Sequence, residues 1–183
     1  MKPLRALIAA SLFASAFAGA AVLKTDPAKS SVAAVFKQMN VPVEAKFKTF
    51  TAQIDYDAAR PEASKASVDI VTASMDLGDA EYNREVAKKE WFNTAQFPKA
   101  SFVSTSIKAA GPGKLNVAGK LTLKGKTLAV NFPLTVKTEA NKQVFEGQLP
   151  IKRLAFNIGE GEWKDTSMVA DEVVIKFRVA AGQ

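Results

Sequence analysis

The sequence contains no cysteine and no histidine in its 183 residues. The absence of cysteine excludes disulfides, thiol nucleophiles and iron–sulfur clusters, and the absence of histidine excludes Ser-His-Asp triads and His-ligated haem. Zinc sites of the usual kind also need these residues. Because the commonest general acid and base at neutral pH is missing, the composition argues against an enzyme. We therefore expect no catalytic residues and no metal site.

The residues that are present form an ordinary globular composition with an excess of positive charge. Hydrophobic residues make up 48% of the chain and charged residues 23%. There are 25 lysine and arginine residues against 18 aspartate and glutamate residues, which gives a formal net charge of +7. This composition is typical of a folded chain rather than a disordered one, and the length suits one domain.

The N-terminus has the order of features found in secretory signal peptides. Lys2 and Arg5 precede a mostly apolar run that ends at Phe17, and small residues follow up to Ala20. This order is typical of a cleaved signal, and the run is too short to cross about 30 Å of hydrocarbon. We predict cleavage after Ala20, which leaves residues 21–183 as one exported, periplasmic domain.

The rest of the chain alternates between apolar and polar residues with a period of two. The clearest case is the segment in which Leu115, Val117, Leu121 and Leu123 alternate with lysines and other polar residues. Similar segments recur about every ten to fifteen residues, which predicts one antiparallel all-β domain, either a closed barrel or a sandwich. Pro133 lies among the outward positions of its segment and predicts an edge strand or a bulged one.

One segment, residues 79–92, breaks the alternation. It is rich in helix-forming residues, begins with acidic residues and carries Lys88 and Lys89 towards its end, an arrangement that the helix dipole favours. Tyr82 and Val86 would form its apolar stripe. The segment predicts a short helix between strands.

Several short motifs follow one another in an order that resembles a known family. They are Ser31-Val32 with Phe36; Phe47 and Phe50 with Ile54, Tyr56 and Asp57; Asn83-Arg84-Glu85 with Trp91-Phe92 and Phe97-Pro98; Gly119 to Thr127; Arg153 to Gly159; and Val169 to Val173. Together they resemble the YceI-like family of secreted, lipocalin-like proteins that bind polyisoprenoids. The resemblance implies a single eight-stranded antiparallel barrel. Where many members carry histidine, this chain has Lys37-Gln38-Met39-Asn40, so no role of that histidine is carried over.

An eight-stranded barrel is the size at which side chains can fill the interior or one small apolar ligand can occupy it. The resemblance favours the hollow form, in which a long apolar chain such as a polyisoprenoid or an isoprenoid quinone binds in the tunnel. Small residues on the inward faces, such as Ala34, Ala52, Gly119 and Gly147, would keep that tunnel open. A filled barrel that serves as a structural or interaction module is the alternative. No cofactor other than such a lipid is expected.

Candidate binding residues fall into three groups. The predicted wall residues lie on the apolar sides of their strands and are Phe36, Phe50, Ile70, Phe102, Leu121, Leu123, Phe132, Phe145, Phe156 and Phe177. Trp91, Phe92 and Trp163 are predicted at the mouth, with a packed cover over the barrel end as the alternative. Arg84 and Arg153 are candidates for contact with a polar head group, with salt bridges or hydrogen bonds to loop carbonyls as the alternative.

Lysines suggest one further partner. Lys114, Lys120, Lys124 and Lys126 lie on the outer face and turn of one predicted hairpin, and Lys88-Lys89 end the helix. They would suit transient contact with an anionic membrane surface, with a solvated strand face as the alternative. The lack of clustered arginine and of stacking motifs argues against nucleic acid. The oligomeric state is left open, a homodimer included.

Carboxylate pairs are the remaining argument for an enzyme. Asp55 and Asp57 share a strand face that we expect to face solvent, and Glu160 and Glu162 flank a glycine in a loop. Neither pair has a partner base in the sequence, so a catalytic role is not favoured.

Overall fold

The computed structural model describes residues 21–182, so the predicted signal peptide at residues 1–20 lies outside the described residues. The described chain is mostly strand, with one α-helix and several short 3-10 turns. The elements are β1 (Ala21–Thr25), β2 (Ser31–Gln38), β3 (Val41–Phe47), β4 (Phe50–Tyr56), β5 (Lys65–Val71), β6 (Met75–Asp76), α1 (Ala80–Ala87), β7 (Lys99–Ala109), β8 (Lys114–Leu123), β9 (Lys126–Glu139), β10 (Lys142–Lys152) and β11 (Val169–Gly182).

The strands close into an antiparallel barrel with eight wall positions. β1 and β2 are two halves of one wall strand, separated by the 3-10 turn Pro27–Lys29. The neighbouring wall strand also has two halves: β4 pairs with β1, and β3 pairs with β2. Pairing then runs from β4 through β5, β7, β8, β9 and β10 to β11. β11 pairs with both β2 and β1, which closes the barrel. The prediction of an all-β, eight-stranded antiparallel barrel with one short helix is confirmed.

The β8–β9 hairpin shows how the alternating sequence builds the wall. Leu115, Val117, Leu121 and Leu123 are all buried on the inward face of β8, while Lys114, Asn116 and Lys120 on the other face are exposed. The chain turns at residues 124–125, which both have positive φ (46° and 76°). A two-residue turn of this kind matches the twist of the strands that it joins.

Pro133 lies where one ladder of β9 ends, although β9 is not an edge strand of the barrel. On one side Pro133 pairs in register with Asn116 of β8. On the other side the pairing of β9 with β10 ends at Leu134 and Gly147, and Leu134 directly follows the proline in the chain. Because proline has no N–H to donate, the end of a ladder accommodates it.

The helix is shorter than the sequence predicts. Asp79 caps its N-terminus by accepting hydrogen bonds from the N–H groups of Glu81 (2.7 Å) and Tyr82 (3.2 Å). The helix ends at Ala87, and the following turn directs Trp91 and Phe92 into the barrel, where both are buried. Burial of these two large rings outweighs the helix propensity of the residues before them. Within residues 21–182, no helix is both long enough and apolar enough to cross a membrane.

Candidate functional site

The barrel encloses a cavity of about 700 Å³ with almost wholly apolar walls. Tyr56 and Ser64 line one end of the cavity, and Gln38, Val43 and Tyr82 line the other. The volume lies in the range of about 300–1,000 Å³ that is typical of small-molecule sites. The inward-facing side chains therefore surround the interior of the barrel without filling it.

Most of the side chains predicted from the sequence do line this cavity. They are Phe36, Ile70, Trp91, Phe92, Phe102, Leu121, Leu123, Phe132, Phe145, Trp163 and Phe177. Period-two alternation identifies the strand residues in this set, because every second side chain of a barrel strand faces the interior.

Two predicted wall residues, Phe50 and Phe156, do not line the cavity. Phe50 begins β4, where it is partly buried against the core. Phe156 lies in the 3-10 turn Arg153–Phe156 rather than in a strand, and it is only 1% exposed. Phe156 therefore packs into the protein itself instead of facing the open space.

Part of the wall was not predicted from the sequence. The missed residues are mainly smaller apolar residues on inward strand faces, among them Ile54, Tyr56, Val68, Ile107, Leu115, Val117, Leu134, Leu149, Ile175 and Val179. The same period-two pattern identifies nearly all of them. The predicted wall consisted mainly of large aromatic residues and so left out smaller apolar residues that the period-two pattern also places on inward faces.

The helix α1 forms one side of the cavity opening. Glu81, Tyr82, Glu85 and Val86 all contribute to the lining, yet no residue of the helix is buried. Tyr82 is 56% exposed while it also borders the cavity. The cavity therefore reaches the surface beside α1.

A small polar network ties α1 to the sheet. Asn83 Nδ2 donates to Asp76 Oδ1 at 3.0 Å, and the Leu77 N–H donates to Asn83 Oδ1 at 2.8 Å. Lys48 Nζ lies 2.7 Å from the other oxygen of Asp76. Hydrogen bonds from Lys48, Asn83 and the Gly78 N–H hold the pKa of Asp76 well below its ordinary value. The ionised form of Asp76 thus helps to hold the helix at the opening.

Arg153 is buried near the two tryptophans of the wall. The ring centroids of Trp91 and Trp163 are 5.3 Å apart, and the Arg153 guanidinium lies 5.6 Å from the Trp91 ring centroid. Its N–H groups donate at 2.6–3.2 Å to the carbonyl oxygens of Ile158, Gly159, Trp163, Val169 and Ala170. Burial lowers the pKa of Arg153 from its ordinary value, and Asp171 opposes that shift.

The two arginines predicted to meet a head group have different surroundings. A guanidinium has five N–H groups, and those of Arg153 are all used by loop carbonyls, although the side chain borders the cavity. Arg84 lies on the outside of α1, with its side chain 69% exposed and 3.9 Å from Glu81. The hydrogen bonds of Arg153 favour the alternative of loop carbonyls for that residue, and Arg84 does not line the cavity.

The two carboxylates of the Asp55/Asp57 pair differ: Oδ1 of Asp55 is buried without a hydrogen-bond partner, whereas Asp57 is engaged in local structure. Asp57 is 6% exposed and does not face solvent as expected, because it accepts hydrogen bonds from the N–H groups of Ala59 and Arg60. Burial alone would raise the pKa of Asp57, but hydrogen bonds from Arg60 and Ala59 bring it below its ordinary value. Among residues 21–182, no group of three or more acidic side chains is arranged to hold a metal ion.

Glu160 binds a lysine of the β8–β9 turn. Lys124 Nζ donates to Glu160 Oε2 at 2.9 Å and to the Asn157 carbonyl at 2.7 Å. The lysine side chain is only 6% exposed, so Lys124 is not part of the solvated lysine face predicted for this hairpin. The hydrogen bond from Lys124 lowers the pKa of Glu160 from its ordinary value.

A closed antiparallel barrel of eight strands around an apolar cavity defines a lipocalin-like architecture. Residues 23–181 match the family described as "YceI-like domain". The chain belongs to the YceI family, as its motifs predict.

Relatives agree with this assignment. A UPF0312 protein of Shewanella oneidensis is 37% identical over 148 residues, which cover 79% of this chain and 74% of that protein. The crystal structure of Burkholderia cenocepacia BcnA is 54% identical, with a TM-score of 0.83 over 85% of this chain and 98% of that one. A polyisoprenoid binding domain from Saccharophagus degradans, implicated in plant cell wall breakdown, shares the fold at 17% identity, with a TM-score of 0.69 over 87% of this chain and 97% of that one.

Proposed function

We propose that this protein is an exported carrier that binds a long apolar chain, such as a polyisoprenoid or an isoprenoid quinone, inside its barrel. The observation that carries the proposal is the cavity of about 700 Å³ with apolar walls and an opening beside α1. The alternative, a solid-core module, does not account for that space. The shared fold of the S. degradans polyisoprenoid binding domain supports the same ligand class. We infer binding rather than catalysis.

The volume and the energetics of burial agree on the size of the ligand. At about 30 Å³ per non-hydrogen atom, the share of a water molecule in the liquid, 700 Å³ holds roughly twenty atoms, or about four isoprene units. At about 0.8 kcal/mol per buried carbon, each five-carbon unit contributes at most about 4 kcal/mol. Micromolar binding needs about 8 kcal/mol after an association cost of about 4–15 kcal/mol. The gross requirement is therefore about 12–23 kcal/mol, which about three to six isoprene units supply.

The polar groups at the opening suit a head group that forms hydrogen bonds. Gln38, Glu81, Tyr82 and Glu85 border the cavity at the end where it reaches the surface. Arg84 faces Glu81 and Lys88 faces Glu85, so the two carboxylates are balanced by positive charge, and the opening offers hydrogen-bonding partners for a hydroxyl or a carbonyl. We therefore propose an alcohol or a quinone as the head of the bound chain.

The test is native mass spectrometry of protein purified from the exported fraction, followed by addition of a polyprenyl alcohol. We expect a bound apolar adduct in the wild type. Val117 is 5% exposed and lines the cavity, so Val117→Trp should occupy the lumen and abolish the adduct. Val103 is 53% exposed and does not line the cavity, so Val103→Trp is the matched control and should retain the adduct. Wild-type protein that carries no adduct and ignores the added alcohol would refute the proposal.

Export is proposed from the N-terminal sequence alone. The positive charge at Lys2 and Arg5, the short apolar run and the small residues up to Ala20 support removal of residues 1–20 and a periplasmic location. Cell fractionation combined with intact mass should find a mature chain that begins at Ala21. A full-length chain in the cytoplasmic fraction would contradict export without affecting the ligand.

A transient contact with an anionic membrane surface is a further part of the proposal. Lys89, Lys114, Lys120 and Lys126 are exposed and would supply the attraction, at about 1 kcal/mol for each basic residue near the surface. Co-sedimentation with phosphatidylserine-containing vesicles should decrease as salt is added. Co-sedimentation that depends on neither salt nor phosphatidylserine would exclude this contact.

A further inference from the structure

Aromatic rings and glycines alternate around one side of the cavity wall. Five consecutive wall strands carry them: Phe102 on β7, Gly119 on β8, Phe132 on β9, Gly147 on β10 and Phe177 on β11. The ring centroids of Phe102 and Phe132 are 5.5 Å apart, as are those of Phe132 and Phe177. All three rings line the cavity, and we refer to Phe102, Phe132 and Phe177 as the aromatic belt.

The two outer rings of the aromatic belt lie directly over glycine backbones. A Cβ atom at Gly147 would stand 2.5 Å from Phe177 Cζ, and one at Gly119 would stand 2.4 Å from Phe102 Cε2. Carbon atoms in favourable contact are about 3.5–4.0 Å apart. Neither glycine has a positive φ, so the backbone conformation does not demand glycine there. The rings occupy the space that a side chain would need.

The position of these rings affects the width of the lumen. A ring seated over a glycine lies against the wall, where the next strand has no side chain of its own. A Cβ atom beneath the ring would push it off the wall, and the open side is the cavity that the ring borders. Gly147 is the better position for a test, since the three atoms nearest to its Cβ would all belong to the Phe177 ring, whereas a Cβ at Gly119 would also stand 2.5 Å from the Val103 carbonyl oxygen.

We propose that Gly147 and Gly119 are specificity-determining residues, because they seat the aromatic belt against the wall and so make the lumen wide enough for a methyl-branched chain. This inference rests on the proposed function, since it concerns which apolar chain the same cavity accepts. An unbranched chain is narrower by its missing methyl groups and tolerates a displaced ring. Aromatic cover of a strand glycine also stabilises a sheet, so the test must separate selectivity from stability.

The experiment compares two alcohols that differ only in branching. Hexadecanol is unbranched, and phytanol has the same main chain with four methyl branches. Each is titrated against protein loaded with the fluorescent apolar probe N-phenylnaphthylamine, and the readout is the ratio of the phytanol Kd to the hexadecanol Kd. The variants are Gly147→Ala, Phe177→Leu and their combination. Gly182→Ala is the matched control, because the nearest atom to its Cβ would be in the flexible Lys142 side chain at 3.2 Å, the Asn141 carbonyl oxygen would be at an ordinary contact distance of 3.8 Å, and Gly182 lies outside the cavity lining.

We expect Gly147→Ala to raise the ratio about tenfold or more, since one methylene in an apolar pocket changes discrimination by that amount. Adding Phe177→Leu should return the ratio to within about threefold of wild type, and Gly182→Ala should leave it unchanged. If Gly147→Ala does not fold, Phe177→Leu alone carries the test, and it should lower the ratio by widening the lumen.

The outcomes separate this inference from the proposed function. Wild-type protein that binds neither alcohol overturns the proposed function, and the inference with it. Wild-type protein that binds both, with a ratio that Gly147→Ala and Phe177→Leu leave unchanged, overturns the inference alone. Equal weakening of both alcohols by Gly147→Ala also overturns the inference alone, because the glycine then acts only on stability.

Discussion

Replacing Arg153 by lysine tests whether the five carbonyl contacts hold the loop between β10 and β11 in place. Arginine has five N–H donors and lysine has three, so at least two of the five carbonyl oxygens lose their partner. Arg153 is only 2% exposed, so bulk water does not readily replace the lost donors. At about 1–3 kcal/mol for each unsatisfied buried group, we expect the free energy of unfolding to fall by about 2–6 kcal/mol.

Equilibrium unfolding in urea, followed by tryptophan fluorescence, measures this loss. Trp91 packs near the guanidinium and the Trp163 carbonyl accepts one of its hydrogen bonds, so both tryptophans report on the affected region. Arg84→Lys is the matched control: that side chain is 69% exposed, and the change should cost no more than about 0.5 kcal/mol. If Arg153→Lys unfolds within about 1 kcal/mol of wild type, the carbonyl contacts do not hold the loop as argued.

Three further predictions concern other parts of the molecule. Asp76→Asn should destabilise the protein at neutral pH, because the lowered pKa of Asp76 makes the stabilisation by its ionised form complete above pH 3.8. That stabilisation is lost as the pH falls towards the lower folded pKa, so the variant should lose less stability in acid than wild type does. Urea unfolding at several pH values measures this, and a stability difference between variant and wild type that is independent of pH would contradict it. Phe156→Ala should cost about 3–5 kcal/mol of unfolding free energy and leave the affinity for hexadecanol unchanged, whereas a selective loss of affinity would place Phe156 at the ligand. Glu160→Gln should lower the stability at neutral pH by removing the charge that faces Lys124. The difference from wild type should disappear in acid, where the Glu160 carboxylate is neutral. An unchanged urea unfolding midpoint at neutral pH would show that the Lys124–Glu160 pair contributes nothing to stability.

Alternation in the sequence predicted an antiparallel all-β domain and most of the cavity lining, and the family resemblance narrowed the domain to an eight-stranded barrel. A strand in a closed barrel has one buried face and one solvent-exposed face, so the alternation identifies individual inward residues such as Leu121 and Phe132. Hydrophobicity does not distinguish a side chain that borders a void from one packed among others. Phe156 shows that limit, because it is as apolar as Phe132 yet lies in a turn outside the cavity lining.

Polar residues were harder to place, for a different physical reason. The role of Arg153 depends on carbonyl groups that its own loop and the start of β11 bring together, and backbone acceptors leave no mark on the residue pattern. Asp57 is buried for a similar reason, since N–H groups of the turn that follows satisfy its carboxylate. The early end of the helix reflects burial of Trp91, which local propensity does not contain.

The wall of the barrel and the helix at its opening are held by different kinds of interaction. The wall is a closed series of hydrogen-bonded ladders, whereas α1 has no buried residue and is tied to β6 through Asn83 and Asp76. Brief detachment of the helix therefore needs far less energy than rupture of the ladders. For the proposed apolar ligand, substitutions that weaken this tether should therefore shorten the residence time of the bound chain more than they lower the stability of the barrel.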